Sequence, residues 1–220
     1  MSDFYTKAKG RFGRLALRLF KVKVINNKPF PSEPFIVCSN HTSLFDVVVV
    51  VAGLEPKIRY MAKKEAFKYP LVSRFIKNMG AFPVDRKKGD VAAIKTTLNI
   101  LKEGECVGIF PQGTRCPKVD PRTTEVKDGI GMIAARAGVG ILPVCIKTKK
   151  NKLKMFHRTY CIVGDYIPPS ELAFEGLGGR EKYEKISRLA FERVCELNDV
   201  DFKSLKEPKK PKALPEGDKK

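Results

Sequence analysis

The stretch that most constrains this chain runs from Phe35 to Asp46: Phe-Ile-Val-Cys-Ser-Asn-His-Thr-Ser-Leu-Phe-Asp. Its apolar opening, Phe35 to Cys38, has the length and composition of a buried strand. The run stops at Ser39, Asn40, His41 and Thr42, and from Ser43 through the valines at 47–51 the pattern turns helical. His41, one of only two histidines in the chain, therefore falls in a turn at the carboxyl end of a strand. Open α/β sheets place their chemistry at such turns. Asp46 follows at an offset that is roughly 140° on a continuous helix, so the pair would not share a helical face. With His41 in the turn and Asp46 in the first helical turn, the carboxylate can reach back to the imidazole. The same residues also read as a helix start. Ser43 and Asp46 have capping-box spacing, and an acid there suits the helix macrodipole.

Strand patterns at Lys57–Ala62, Ala81–Val84, Cys106–Phe110, Ile141–Lys147 and Arg158–Val163 alternate with helical ones. The helices are expected from Lys63 to Asn78, Asp90 to Lys102, Asp128 to Ala137 and about Arg180 to Leu197. Asp90 and Asp128 stand where N-caps belong, and Gly104, Gly138 and Gly140 stand where helices end. This alternation over residues 30–200 predicts a single α/β domain, a mixed sheet flanked by helices. An amphipathic helix is expected before it, within residues 1–25. Wound at 100° per residue, Tyr5, Ala8, Phe12, Leu15, Ala16 and Leu19 share one side of that segment. Lys7, Arg11, Arg14, Arg18 and Lys21 cluster on the other, the composition of a helix lying in a membrane interface. Residues 201–220 form a Lys/Pro-rich tail too poor in apolar residues to fold alone.

Charge narrows the partners. Lys plus Arg is 43 against 24 for Asp plus Glu, a formal charge of +19, which favours nucleic acid, an anionic membrane surface or acidic substrates. No stretch reaches the roughly 18–20 apolar residues needed to span a bilayer. The longest candidate, Leu44 to Leu54, carries Asp46, and no cleavable signal pattern precedes it. The six cysteines include no Cys-x-x-Cys pair and no metal-like grouping with histidine. Four of them sit inside apolar strand-like runs, which suggests buried thiols in a reducing compartment. No nucleotide-binding glycine loop is present, and no metal or other cofactor is expected.

A second strand end matters as much as the first. Cys106–Phe110 runs directly into Pro111-Gln112-Gly113-Thr114-Arg115. Glycine at 113 permits an unusual backbone angle. A guanidinium beside open backbone amides suits a phosphate, being planar, permanently charged and bidentate; a solvated surface arginine is the plainer alternative.

Taken together, these blocks resemble the glycerolipid acyltransferases, specifically the 1-acyl-sn-glycerol-3-phosphate (lysophosphatidic acid) acyltransferase family, over residues 35–165. Asn40-His41-Thr42-Ser43-Leu44-Phe45-Asp46 is similar to the family's His-x-x-x-x-Asp motif, and Ala62-Lys63-Lys64-Glu65 to its lysine-bearing segment. Gly80-Ala81-Phe82-Pro83-Val84-Asp85-Arg86 resembles its second block, Phe110 to Arg115 its Phe-Pro-Glu-Gly-Thr-Arg block, and Ile141-Leu142-Pro143-Val144 its fourth. The resemblance implies a fatty acyl transfer from an acyl thioester, carried by acyl carrier protein or coenzyme A, to the sn-2 hydroxyl of lysophosphatidic acid, giving phosphatidic acid. His41 would be the general base and Asp46 its orienting carboxylate. Arg115, with Lys63 and Arg86, would bind the acceptor phosphate, while Gln112, Gly113 and Thr114 would position the acceptor or the oxyanion. Lys127, Asp128 and Gly129 would play a supporting part.

Gln112 departs from the family's glutamate, which puts any role of that acid at this position in question. Related acceptors, another lysolipid or glycerol 3-phosphate, would suit the same motifs. A non-catalytic basic module binding membrane or nucleic acid would leave the His–Asp pair unexplained, and no nucleic-acid partner is expected. The place implied is the cytoplasmic face of the cell membrane, as a peripheral or monotopic protein.

Overall fold

The computed structural model describes residues 10, 13–26, 29–84 and 91–201. Seven strands make one sheet: β1 Val22–Ile25, β2 Ile36–Ser39, β3 Ile58–Lys63, β4 Phe82–Val84, β5 Cys106–Ile109, β6 Ile141–Thr148 and β7 Thr159–Val163. Their spatial order is β1-β7-β6-β2-β5-β3-β4. Strands β6, β2, β5, β3 and β4 run parallel, β7 is antiparallel to β6, and β1 is parallel to β7. The sheet is therefore mixed, as expected. Helices α1 Arg14–Leu19, α2 Asp46–Gly53, α3 Pro70–Asn78, α4 Val91–Lys102, α5 Gly129–Ala137 and α6 Gly179–Asp199 connect and cover it.

The unbroken apolar runs of β2 and β5 reflect burial on both faces. Ile36 and Cys38 of β2 pack into one core with residues of α4, α5 and α6, among them Ile100, Ile130, Ile133 and Ile186. Phe35 and Val37 pack into the other, with Val49, Val50 and Val51 of α2 and with Phe20. Val49, Val50 and Val51 of α2 are thus core residues.

This arrangement places the site. β2 and β5 are neighbours, yet the chain leaves them in opposite directions: α2 after β2 packs on one face of the sheet, α5 after β5 on the other. Adjacent strands whose exits diverge open a crevice at their carboxyl ends, where open α/β sheets bind ligands. Both motif loops, 39–46 and 110–116, lie there.

Three expectations are corrected. The amino-terminal helix does not continue to residue 24. Lys21 takes a left-handed backbone angle (φ 42°), and Val22-Lys23-Val24-Ile25 forms the edge strand β1. Three of those four residues are β-branched, which favours a strand, and Val22 pairs with Thr159. The helix expected over 63–78 is a 3₁₀ turn, Lys64–Lys68, followed by α3. Pro70 at the first turn of α3 forces the extended backbone seen at Tyr69 (ψ 113°) and separates the two. Asp128 precedes α5 without capping it through its side chain; its carboxylate instead lies 3.7 Å from Arg180. Tyr5, Lys7, Ala8, Arg11, Phe12, Asp85, Arg86, Asp90 and the tail from residue 202 lie outside the described residues.

A glycine in β5 ties the sheet to the site. A Cβ at Gly108 would sit 2.0 Å from the ring of Tyr60, a buried β3 side chain that crosses β5 at this point. Gly108→Ala is therefore expected to destabilise the protein by about 1–3 kcal/mol through overpacking. The shift would appear as a lower urea midpoint at unchanged m-value.

Candidate active site

β2 delivers Ser39 and Asn40 to the sheet edge, and the next residue is His41. Asn40 locks the strand end in place. Its Nδ2 donates to the Ile146 carbonyl (3.0 Å) and its Oδ1 accepts from the Ile146 amide (2.8 Å), a two-point clamp onto β6. The loop then curls around one carboxylate. Asp46 Oδ2 accepts hydrogen bonds from the Thr42 amide and from the Ser43 amide (2.7 Å), and lies 2.9 Å from His41 Nδ1. Asp46 itself is fully buried. With two backbone N–H groups directed at Oδ2, that oxygen serves as acceptor, so Nδ1 carries the hydrogen and donates. The other ring nitrogen, Nε2, makes no protein hydrogen bond among the described residues and holds the lone pair.

α2 starts at Asp46 with Phe45 at its N-cap and no side-chain cap, so the carboxylate closes the preceding loop and holds His41 rather than capping the helix. The reciprocal bond of a capping box is absent: Ser43 Oγ accepts from Phe45 rather than from Asp46, while Asp46 accepts from the Ser43 amide.

The second loop grips the first. The Gln112 Oε1 accepts the His41 amide (2.7 Å), and its Nε2 donates to Thr124 Oγ1 (2.9 Å). Thr124 Oγ1 donates in turn to the Pro121 carbonyl (2.6 Å). The His41 carbonyl accepts the Cys116 amide at 2.8 Å. The imidazole stacks on Phe110, with centroids 4.1 Å apart and planes 12° from parallel, and Phe110 stacks on Tyr60 at 5.3 Å. Backbone, ring face and Nδ1 are all held, so Nε2 has one direction. Gln112 is buried with both amide ends engaged, which makes it a strut between loops rather than a hand extended to a ligand.

Gly113 has φ +67°, the left-handed region that glycine occupies without strain. Its amide closes a turn onto the Phe110 carbonyl at 3.0 Å and is spent there. The amides of Thr114 and Arg115 donate to no protein acceptor among the described residues, and both residues are exposed at the loop surface. Lys127, whose amide donates to the Pro111 carbonyl (3.0 Å), lays its side chain across Gly113. A Cβ there would meet the Lys127 stem at 3.1 Å. This brings a second cation to the Arg115 loop. Lys63 ends β3 at the same edge of the sheet, on the far side of β5 from His41.

Cys38 lies just before this loop but is fully buried. Desolvation, together with the nearby Cys195, pushes its thiol well above the usual range; burial likewise takes Cys161 up to about 12. Such thiols stay protonated at neutral pH and do not act as nucleophiles. Among the described residues no cluster of His, Cys, Asp and Glu is disposed to hold a metal ion.

A His–Asp pair at the carboxyl ends of a seven-stranded mixed sheet is an arrangement suited to general acid–base chemistry. The family model "Acyltransferase" matches residues 21–147, and the chain belongs to that family. The 1-acyl-sn-glycerol-3-phosphate acyltransferase of Bacillus subtilis (strain 168) is 32% identical over 182 residues, 81% of this chain and 88% of its own. The Escherichia coli (strain K12) protein of the same name is 30% identical over 173 residues, 75% of this chain and 69% of its own. In fold, the chain is similar to the crystal structure of the 1-acyl-sn-glycerophosphate (LPA) acyltransferase PlsC from Thermotoga maritima. The TM-score is 0.65 at 24% identity, covering 89% of this chain and 83% of that one.

Two substitutions separate strut from ligand group at position 112. Gln112→Ala strands the buried His41 amide and is expected to cost about 1–3 kcal/mol of stability, with a matching loss of turnover. Gln112→Glu keeps the acceptor for His41, and a turned Thr124 hydroxyl can meet the second oxygen, so stability stays within about 1 kcal/mol of the parent. Thermal melts beside kcat would show both effects. Cys38→Ala should leave turnover within a few-fold, and iodoacetamide should leave Cys38 unmodified by intact mass in the folded protein.

Proposed function

We propose that the protein transfers a fatty acyl group from an acyl thioester to the sn-2 hydroxyl of 1-acyl-sn-glycerol 3-phosphate, making phosphatidic acid for phospholipid biosynthesis. The observation that carries this reading is the free Nε2 of His41, opposite an Nδ1 held by a buried carboxylate, at the mouth of an acyltransferase-family crevice.

The acceptor hydroxyl is the nucleophile. Its oxygen attacks the thioester carbonyl carbon while His41 Nε2 removes its proton. Asp46 keeps Nδ1 protonated and stabilises the imidazolium that forms, as the third member of a triad does. The tetrahedral oxyanion is stabilised by amides of the Thr114–Arg115 segment. Collapse breaks the C–S bond, and the imidazolium returns the proton to the departing thiolate. The products are an ester and a free thiol, with no enzyme nucleophile and no metal. Arg115 binds the acceptor phosphate, assisted by Lys127 and Lys63, and Arg86 is assigned to the same anionic pocket. The donor is an acyl carrier protein or coenzyme A thioester; both are anionic and both suit a +19 chain.

The protein works on the cytoplasmic face of an anionic membrane. No described helix is long and apolar enough to cross one. A surface is nevertheless available beside the site. α1 exposes Arg14, Leu15 and Arg18, and it is followed by Phe20, which packs on Phe45 at 5.1 Å. Leu44 and Phe45, exposed in the His41 loop, continue that surface.

The test is thioester consumption with 1-acyl-glycerol 3-phosphate as acceptor and glycerol 3-phosphate in parallel, supplied with either donor. Turnover confined to the lysolipid, falling about 10³-fold or more in His41→Ala, is expected. Asp46→Asn, which retains an acceptor oxygen for the loop but loses the charge, should fall about 10²–10⁴-fold without unfolding. Arg115→Ala should raise KM for the phosphate-bearing acceptor more than it lowers kcat. Absence of turnover with every lysolipid and donor would overturn the reading.

A further inference from the structure

Helix α3 is amphipathic, and its apolar stripe is turned outward. At 100° per residue, Leu71, Phe75 and Val72 fall within roughly 100° of one another. A helix covering a core turns such a stripe to the protein. Here the buried residue is Ser73, on the far side of Val72 from Leu71. Leu71 is 86% exposed, Val72 45% and Phe75 39%, and Tyr69, just before the helix, is 66% exposed. Scattered single apolar residues are ordinary on a surface; three grouped on one short helix, with Tyr69 just before it, are not. Cations frame them. Lys63, Lys64, Lys68, Arg74 and Lys77 are all exposed, against one acid, Glu65.

Topology places this patch at the active-site edge. β3 runs parallel to β5, so its carboxyl end, Lys63, lies on the same edge as the His41 and Gln112 loops, and the 3₁₀ turn and α3 follow directly. α1 reaches that edge from the opposite end of the sheet, because β1 runs antiparallel to β2 through β7 and β6. Strand order puts the Leu15–Phe45 surface on one side of the β2/β5 crevice and α3 on the other.

We infer that α3 is a second lipid-docking element, inserting Leu71, Val72 and Phe75 into an anionic bilayer while its cations meet the headgroups. The inference rests on the membrane reading above and goes beyond it. The protein sits on the bilayer at two points astride the crevice, with His41 facing the surface from which its lipid acceptor comes. A Tyr at the junction, Leu and Phe at the tip and Lys/Arg flanks form an interfacial composition. An acidic carrier protein would be attracted to the same cations, but it supplies no apolar phase for a side chain as exposed as Leu71.

The chain contains no tryptophan, so one introduced residue reports its own surroundings. Leu71→Trp and Phe75→Trp in the full chain should shift emission to shorter wavelength on adding phosphatidylglycerol vesicles, and brominated acyl chains should quench them. Glu103→Trp, exposed at the opposite sheet edge, should do neither. The double variant Leu71→Gln/Phe75→Gln should lower vesicle partitioning at least about tenfold, with unchanged turnover of a monomeric short-chain acceptor and an unchanged far-UV spectrum. Vesicle binding without any emission response from Leu71→Trp or Phe75→Trp would overturn the inference and leave membrane attachment to α1. A response to acyl carrier protein but not to vesicles would make the face a protein-docking one and overturn it equally. Failure of the parent chain to bind anionic vesicles would overturn it together with the membrane reading, while turnover of soluble acceptor would leave the acyl-transfer reading standing.

Discussion

One buried carboxylate organises the centre of this protein. Asp46 is fully buried, and an isolated carboxylate in that position would be costly by several kcal/mol. Three donors on a single oxygen offset that cost: the amides of Thr42 and Ser43 and the Nδ1 of His41. Satisfying the charge bends the chain through 41–46, starts α2 at Asp46 rather than at Ser43, and fixes the imidazole tautomer in one stroke. The loop cannot keep its shape without that acceptor oxygen, nor the anion its burial without the loop. One oxygen thus both closes the loop and holds the imidazole, while α2 begins without a side-chain cap.

Around that centre the two motif loops hold each other by polar atoms that are fully matched. Thr124 spends its hydroxyl hydrogen on the Pro121 carbonyl, leaving only lone pairs for its neighbour. The amide nitrogen of Gln112 supplies the donor those lone pairs require, while the amide oxygen takes the His41 N–H. A neutral side chain that both donates and accepts fits this gap as it stands. A carboxylate would need the threonine hydroxyl to leave Pro121. The departure from the family's glutamate is thus locally consistent, and it leaves one negative charge fewer beside the proposed phosphate site.

The sequence makes β2, the α2 valines and the His41–Asp46 pair legible, because each is encoded within a dozen residues. Strand order is not: nothing local states that β5 inserts between β2 and β3, although that insertion creates the crevice. The role of Gln112 is hidden for the same reason. Its partners are the backbone of residue 41 and a side chain at 124, contacts set by tertiary folding. The Lys127–Gly113 approach has the same origin, and so does the loss of the Gly113 amide to a turn. β1 passes for helix because Lys21 continues the basic face of the segment before it, although Lys23, about 200° away, breaks that pattern. The alternation Val22-Lys23-Val24, period two rather than 3.6, is the signal available against it. The exposed stripe on α3 is hidden differently, since periodicity announces an amphipathic helix but not which side faces the protein.

Charge and geometry divide the work of recognition between them. In the proposed reaction a net charge of +19 would attract anionic lipid, coenzyme A and acidic carrier protein alike, and beyond about 8–10 Å salt screens it. Such a field accelerates encounter without choosing among partners. In the proposed mechanism, discrimination falls to an imidazole pinned at backbone, ring face and Nδ1 and to an exposed arginine on the loop that also supplies the strut. In the proposed reaction the distance from Nε2 to the phosphate site decides which hydroxyl is activated. That distance is set by the hydrogen bond from His41 to Gln112, only three residues before Arg115. A strut that joins base to phosphate loop makes regiochemistry a property of loop–loop packing, so substitutions at 112 or 124 should alter acceptor choice more readily than changes in surface charge.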